Sequence, residues 1–146
     1  MDFKDFDVSV QDDIIELLNE HIATSAEIIR DDKCLLPMLM IKGENSDSNQ
    51  LVCLQPADGN IDVDKAYCFV LQKLRDLPFT YALFSYSTQV GLATSGISDA
   101  IKTVIFTSQG DAVSFYTPYS LKGVFRKTLT LEKSMLGEIE ENALSR

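Results

Sequence analysis

The chain carries one imidazole, His21, so a catalytic triad or a histidine-based metal site has to be assembled around it. His21 and Ser25 fall within a stripe formed by Ile14, Leu17, Leu18, Ile22, Ile28 and Ile29, which recur at helical spacing. An imidazole in such a stripe reads first as a buried ring hydrogen-bonded to a backbone or hydroxyl group. The other reading makes it the lining of a pocket between helix and sheet. Cys34, Cys53 and Cys68 lie far apart, form no Cys-x-x-Cys pair and sit among apolar neighbours, as reduced buried thiols do. Zinc requires closely spaced ligands, usually four, so no metal site is expected. Ser85, Ser87, Thr88, Thr94, Ser95 and Ser98 make the middle of the chain rich in hydroxyls, without the Gly-x-Ser-x-Gly elbow of a hydrolase. No catalytic residue emerges.

Two stretches have the spacing of ligand motifs and lack their key residues. Gly91-Leu92-Ala93-Thr94-Ser95-Gly96-Ile97-Ser98 spaces its glycines like a P-loop, yet Ile97 stands where the lysine should follow. It also leads into a strand, so no helix N-terminus awaits a phosphate. Asp58, Asn60, Asp62 and Asp64 alternate like the start of a calcium loop, but Val63 replaces the required glycine and Phe69 the required glutamate. No cofactor is expected. Asp12-Asp13 and Glu140-Glu141 read as surface charges of helices.

Charge narrows the partners. Thirteen basic residues against twenty-two acidic ones give a net charge of −9, a sign that repels nucleic-acid backbones and acidic membrane surfaces. The nearest approach to a basic cluster is Lys122, Arg126, Lys127 and Lys133. Neither a nucleic acid nor a membrane is therefore an expected partner. No apolar run approaches the roughly 20 residues that span a bilayer. The start, Met1-Asp2-Phe3-Lys4-Asp5, lacks the features of a secretion signal, so the expected compartment is the cytoplasm. The acidity suits a basic protein partner, and serves solubility equally well.

Few elements are available to position these residues. Val10 to Asp31 is predicted as an amphipathic helix with Ser9 as N-cap and Asp12 completing a capping-box-like pair. Leu35–Ile41 and Leu51–Gln55 are apolar runs of strand length separated by the polar turn Gly43–Asn49, which predicts an antiparallel hairpin. Pro37 either places its strand at an edge or confines pairing to the later residues. Asp58-Gly59-Asn60 turns the chain into a second helix, capped by Asp62, with Val63, Ala66, Tyr67, Val70, Leu71 and Leu74 on its buried face and Pro78 ending it. A strand over Tyr81–Tyr86 and a loop around Gly91–Ser98 follow. "IKTVIFTSQGDAVSFY", from Ile101 to Tyr116, then alternates as two strands about Gln109-Gly110. A two-residue loop sets Phe106 opposite Val113 and Val104 opposite Phe115, all on one core face. Thr103, Ile105, Ser114 and Tyr116 are left on a solvated or partner-covered face. Val124–Leu131 is a further strand, and Ser134–Arg146 reads as a short helix or a frayed end.

The chain is thus expected to form a single domain, residues 1–146, that buries roughly two-thirds of its unfolded surface. Its class is α+β, a two-layer sandwich of a mostly antiparallel sheet with helices on one face, in the order α-β-β-α-β-β-β-β. That order resembles the roadblock and profilin-like folds. Leu36-Pro37, Tyr81-Ala82-Leu83-Phe84-Ser85-Tyr86, Ser98-Asp99-Ala100-Ile101 and Tyr116-Thr117-Pro118-Tyr119 together resemble a family of small uncharacterised bacterial proteins over most of the chain. The resemblance implies a bacterial domain of unknown function and supplies no site residues.

Two functional classes follow. The first is a non-catalytic cytoplasmic protein-binding or assembly module, an immunity-type inhibitor among its forms. It would act through a sheet surface carrying Tyr81, Tyr86, Ile105, Tyr116 and Tyr119, on a protein partner or on itself as a homodimer. The alternative is a small-molecule-binding protein or enzyme with a pocket near His21.

Overall fold

The first helix, α1, runs over Val8–Asp32 in the computed structural model, which describes residues 1–32, 35, 37–45, 49–54, 62–92, 96–123 and 128–145. Cys34, Leu36, the Asp58-Gly59-Asn60 turn, Thr94, Ser95 and residues 124–127 of the last predicted strand lie outside these. The Asp7 carbonyl accepts the Gln11 amide at 2.9 Å, so α1 starts earlier than expected and Ser9 and Asp12 lie inside it rather than capping it. A short 3-10 turn, Phe3–Asp5, precedes α1 and sets Phe3 edge-on against Phe6 and Phe115.

β1 (Met38–Lys42) and β2 (Gln50–Cys53) form the predicted antiparallel hairpin. Pro37 stands just outside β1, which keeps its ladder to a further strand, β3, on its other side. α2 (Val63–Arg75) is capped by Asp62, whose Oδ1 accepts the Lys65 amide at 3.2 Å. β3 (Tyr81–Leu92) and β4 (Gly96–Thr107) pair along their whole lengths, so Gly91, Leu92 and Gly96–Ser98 of the expected loop are strand. β5 (Ala112–Lys122), β6 (Thr128–Leu131) and β7 (Met135–Glu140) complete a sheet ordered β2-β1-β3-β4-β5-β6, with β7 also on β5. The α+β class, the antiparallel sheet and the α-β-β-α-β-β-β-β order are those read from the sequence.

The last strand of that order is split, with β6 and β7 lying end to end along one edge of β5. The split falls opposite Pro118. Its carbonyl accepts the Glu132 amide at 2.8 Å, but proline has no N–H to return, and the ladder lapses before β7 begins. β7 stands where a short terminal helix was expected. Gly137 permits its approach to β5, because a Cβ there would lie 2.8 Å from the Tyr116 ring. Nor does the end fray: Leu144 is fully buried, its amide bonds to the Gly110 carbonyl and its carbonyl accepts from Arg75 Nε.

The β4–β5 hairpin differs from the predicted register by one residue. Thr107 exchanges bonds across the turn with Asp111 and Gly110, and Gly110 takes a φ of 95°. Residues 108–111 form the connection, in place of a two-residue loop. Phe106 therefore faces Ala112 and Ile105 faces Val113. Because side chains alternate, this slip moves Val113 and Phe115 to the opposite face from Phe106.

Both sheet faces are consequently core. Ala82, Phe84, Val104 and Phe106 pack against Val70 and Leu74 of α2. Leu83, Ile105, Val113 and Phe115 pack beneath Ile14, Leu18 and Ile22 of α1, and Ile29 continues that layer over Met38, Ile101 and Tyr119. The two helices thus cover opposite faces, making three layers where two with both helices on one face were expected. Apolar residues at both parities of the central strands require cover on both sides.

Cys53 and Cys68 are exposed, contrary to the buried thiols that their neighbours suggest. Cys53 sits on an edge strand and Cys68 on α2 away from Val70 and Leu74. Both should react with Ellman's reagent in the native protein; a thiol at either position that reacts only after unfolding would contradict this placement. No described helix is long and apolar enough to cross a membrane.

Candidate functional site

Three of the five residues expected at an interface lie under α1. Tyr81 is buried and donates its hydroxyl to Asp13 Oδ2 at 2.9 Å; burial and this carboxylate push its pKa up to about 12. Ile105 is fully buried, and Tyr119 is buried with its hydroxyl 3.4 Å from Ser87 Oγ. These three present no surface, a direct result of the shifted register and the second helical layer.

Tyr86 and Tyr116 do come together, on the α2 face. Lys102 is the cross-strand partner of both, Tyr86 on β3 and Tyr116 on β5. Its ammonium lies 5.4 Å from the Tyr116 ring centroid. Burial alone would lower the lysine pKa, but the two phenol groups hold it above the ordinary range, so Lys102 remains charged. Burial raises Tyr67 and Tyr86, and the Glu140 carboxylate adds to the effect on Tyr67, so both are neutral at physiological pH. Together with Asp64, Glu138 and Glu140 these residues line a cleft of about 190 Å³. Lys102, Glu138 and Glu140 carry no local sequence signal for this site. Only the strand pairing assembles them.

A second cleft, of about 480 Å³ and mostly apolar, opens on the other face of the same sheet edge. Ile15, Leu18 and Ile22 of α1 form one wall, and Phe115, Leu131 and the stretch Glu132–Ser134 form the other. Ile15 and Leu131 are 43% and 40% exposed, and Met135 and Leu136 continue the exposed apolar surface along β7. β6 ends the sheet, with no described strand beyond it.

His21 occupies a sealed polar joint. Its Nε2 lies 2.7 Å from Ser85 Oγ, the spacing of a base and its nucleophile. Ser85 has no exposure and His21 only 3%, so no substrate reaches the pair as it stands. Ser25 follows His21 by one helical turn and Thr103 is the cross-strand partner of Ser85. His21 Nδ1, Ser25 Oγ and Thr103 Oγ1 are buried with no hydrogen-bond partner among the described residues. Burial, reinforced by the charge of Lys42, lowers the histidine pKa to about 4. The ring is thus neutral at physiological pH, and neither cleft described above is lined by it.

Among the described residues no group of three or more histidine, cysteine or acidic side chains is placed to hold a metal ion. Comparison with protein-family models, with curated proteins and with solved structures finds no match.

Proposed function

We propose that the protein is a non-catalytic cytoplasmic binding module that takes up an extended segment of a partner protein along the β6–β7 edge. The observation that carries this reading is an open strand edge running beside an apolar cleft of about 480 Å³. Free edges offer unpaired N–H and C=O groups, and proteins that do not use them blunt them with charges, prolines or bulges. Here Leu131, Met135 and Leu136 stay exposed along the edge, which carries charges at Glu132 and Lys133 and a register shift where β7 pairs with Val113 and Phe115. An added strand gains main-chain hydrogen bonds, while side chains entering the cleft supply selectivity. Inhibition of a basic enzyme, in the manner of an immunity protein, is one form such binding takes and suits a net charge of −9. A second copy is a poorer occupant, because it brings the same net charge.

A second reading, a small-molecule site at His21, draws on the three unpartnered atoms there. It requires α1 to lift, and added metabolites would then move the His21 ring signals in NMR spectra.

A photoreactive benzoylphenylalanine at position 131, compared with one at position 51 on the β2 edge, tests the main reading in native cells. Leu51 is 60% exposed and serves as the control. Position 131 is expected to give one discrete adduct with another polypeptide that position 51 does not give. Equal adducts from both positions, or only a product of two copies of the chain, would overturn it.

A further inference from the structure

Resting on this edge-binding reading, we infer that the accepted segment is a strand whose residues alternate between apolar and basic. The two faces of the β6–β7 edge differ in chemistry. On the α1 face, Leu129 and Leu131 lie opposite Leu121 and Tyr119, and Leu136 and Ile139 lie opposite Phe115 and Val113. On the α2 face, Glu138 and Glu140 reach into the cleft that Asp64 also lines. A strand hydrogen-bonded to this edge places its successive side chains on the two faces in turn, level with those of the edge strand. Along the second half of β7, positions on the α1 side therefore meet apolar surface and those on the α2 side meet Glu138 and Glu140. Beside β6 and the start of β7, by contrast, the α2 side carries Thr128, Thr130 and Met135.

The carboxylate side lacks its counter-charge. Asp64, Glu138 and Glu140 form no salt bridge with a described residue. Among the described residues that line the cleft the one cation is Lys102, which is held between its cross-strand partners Tyr86 and Tyr116, 5.4 Å from the Tyr116 ring centroid. Three carboxylates face one ammonium, and the walls include the rings of Tyr67 and Tyr86. A lysine or arginine side chain fits this arrangement, since its aliphatic stem covers aromatic surface while its charged end reaches a carboxylate. An acidic side chain at the same position meets like charge.

Three decapeptides titrated into the full chain and followed by amide NMR test the inference: valine alternating with lysine, with serine or with glutamate. The lysine peptide is expected to shift the amides of residues 128–140 and to bind about tenfold more tightly than the serine peptide, with the glutamate peptide weakest. The double variant Glu138→Gln, Glu140→Gln is expected to reduce the lysine preference to about twofold, as is added salt. Its unchanged amide spectrum elsewhere would confirm that it folds, both side chains being exposed. Equal binding of the serine and lysine peptides, both at the edge, would overturn the basic alternation and leave edge binding intact. Failure of every peptide to move the edge amides would overturn edge binding and, with it, the alternation.

Discussion

Ile105→Ser is expected to destabilise the protein as severely as Phe106→Ala, each by about 4 kcal/mol. Both residues have zero exposure, but they point to opposite faces of β4. Phe106 packs with Phe84 against α2, and truncation leaves a cavity there in addition to the lost transfer energy. Ile105 packs beneath α1 with Leu83 and Val113, where serine would lose the aliphatic contacts and bury a hydroxyl. A sheet with one solvated face predicts a small effect at Ile105, so the pair of variants separates the two architectures. Urea unfolding at constant m-value measures both. A cost below about 1 kcal/mol for Ile105→Ser, against a typical core loss of several, would show that α1 does not seal that face.

Acidification is expected to act through His21. The folded ring has a pKa of about 4, below its ordinary 6.5, because burial penalises the imidazolium and Lys42 repels it. The unfolded chain therefore takes up the proton first. Stability from this group is complete above pH 6.5, falls as the pH drops, and is lost to the extent of about 3 kcal/mol by pH 4. Between pH 6.5 and 5 the loss is about 2 kcal/mol, a window left largely to the single histidine of the chain. Denaturant unfolding at pH 7 and pH 5 measures it, and His21→Gln should flatten the dependence. Wild-type stability unchanged over that range would place the ring in contact with solvent.

The helices were legible because their signals are local: α2 carries its own cap at Asp62 and its own stripe ending at Leu74. The β1–β2 hairpin and the start of β3 were legible for the same reason. The faces of the β4–β5 hairpin were not, since they depend on one residue of turn geometry. Gln109-Gly110 has the composition of a two-residue loop, while the bonds of Thr107 to Gly110 and Asp111 close a longer one. That single step decides whether Phe115 lies beside Phe106 or across the sheet from it. It also decides that Tyr116 joins Tyr86 around Lys102 while Tyr119 and Ile105 are covered. β7 is not legible locally because Met135, Leu136 and Ile139 fit a helix as well as a strand, and the close contact of Gly137 with the Tyr116 ring belongs to a distant part of the sequence. The same limit applied to His21: its stripe placed it inside, but Ser85 and Thr103 become its neighbours only through tertiary pairing.

The missing amide of Pro118 divides the rim of the sheet into two units of unequal persistence. β6 is held to β5 over Tyr119–Lys122, and beyond it the Glu132 amide and a 2.7 Å hydrogen bond between the Thr117 and Ser134 hydroxyls reach across while the backbone ladder lapses. β7 is anchored further: Ile139 packs against the core beneath α1, and Glu141 just after it pairs with the N-terminal amine at 3.8 Å. In hydrogen exchange the β6 amides should therefore follow a local opening of low free energy, while the β7 amides follow β5 toward global unfolding. An incoming strand would meet one half of the rim that adjusts to it and one half that already holds its register.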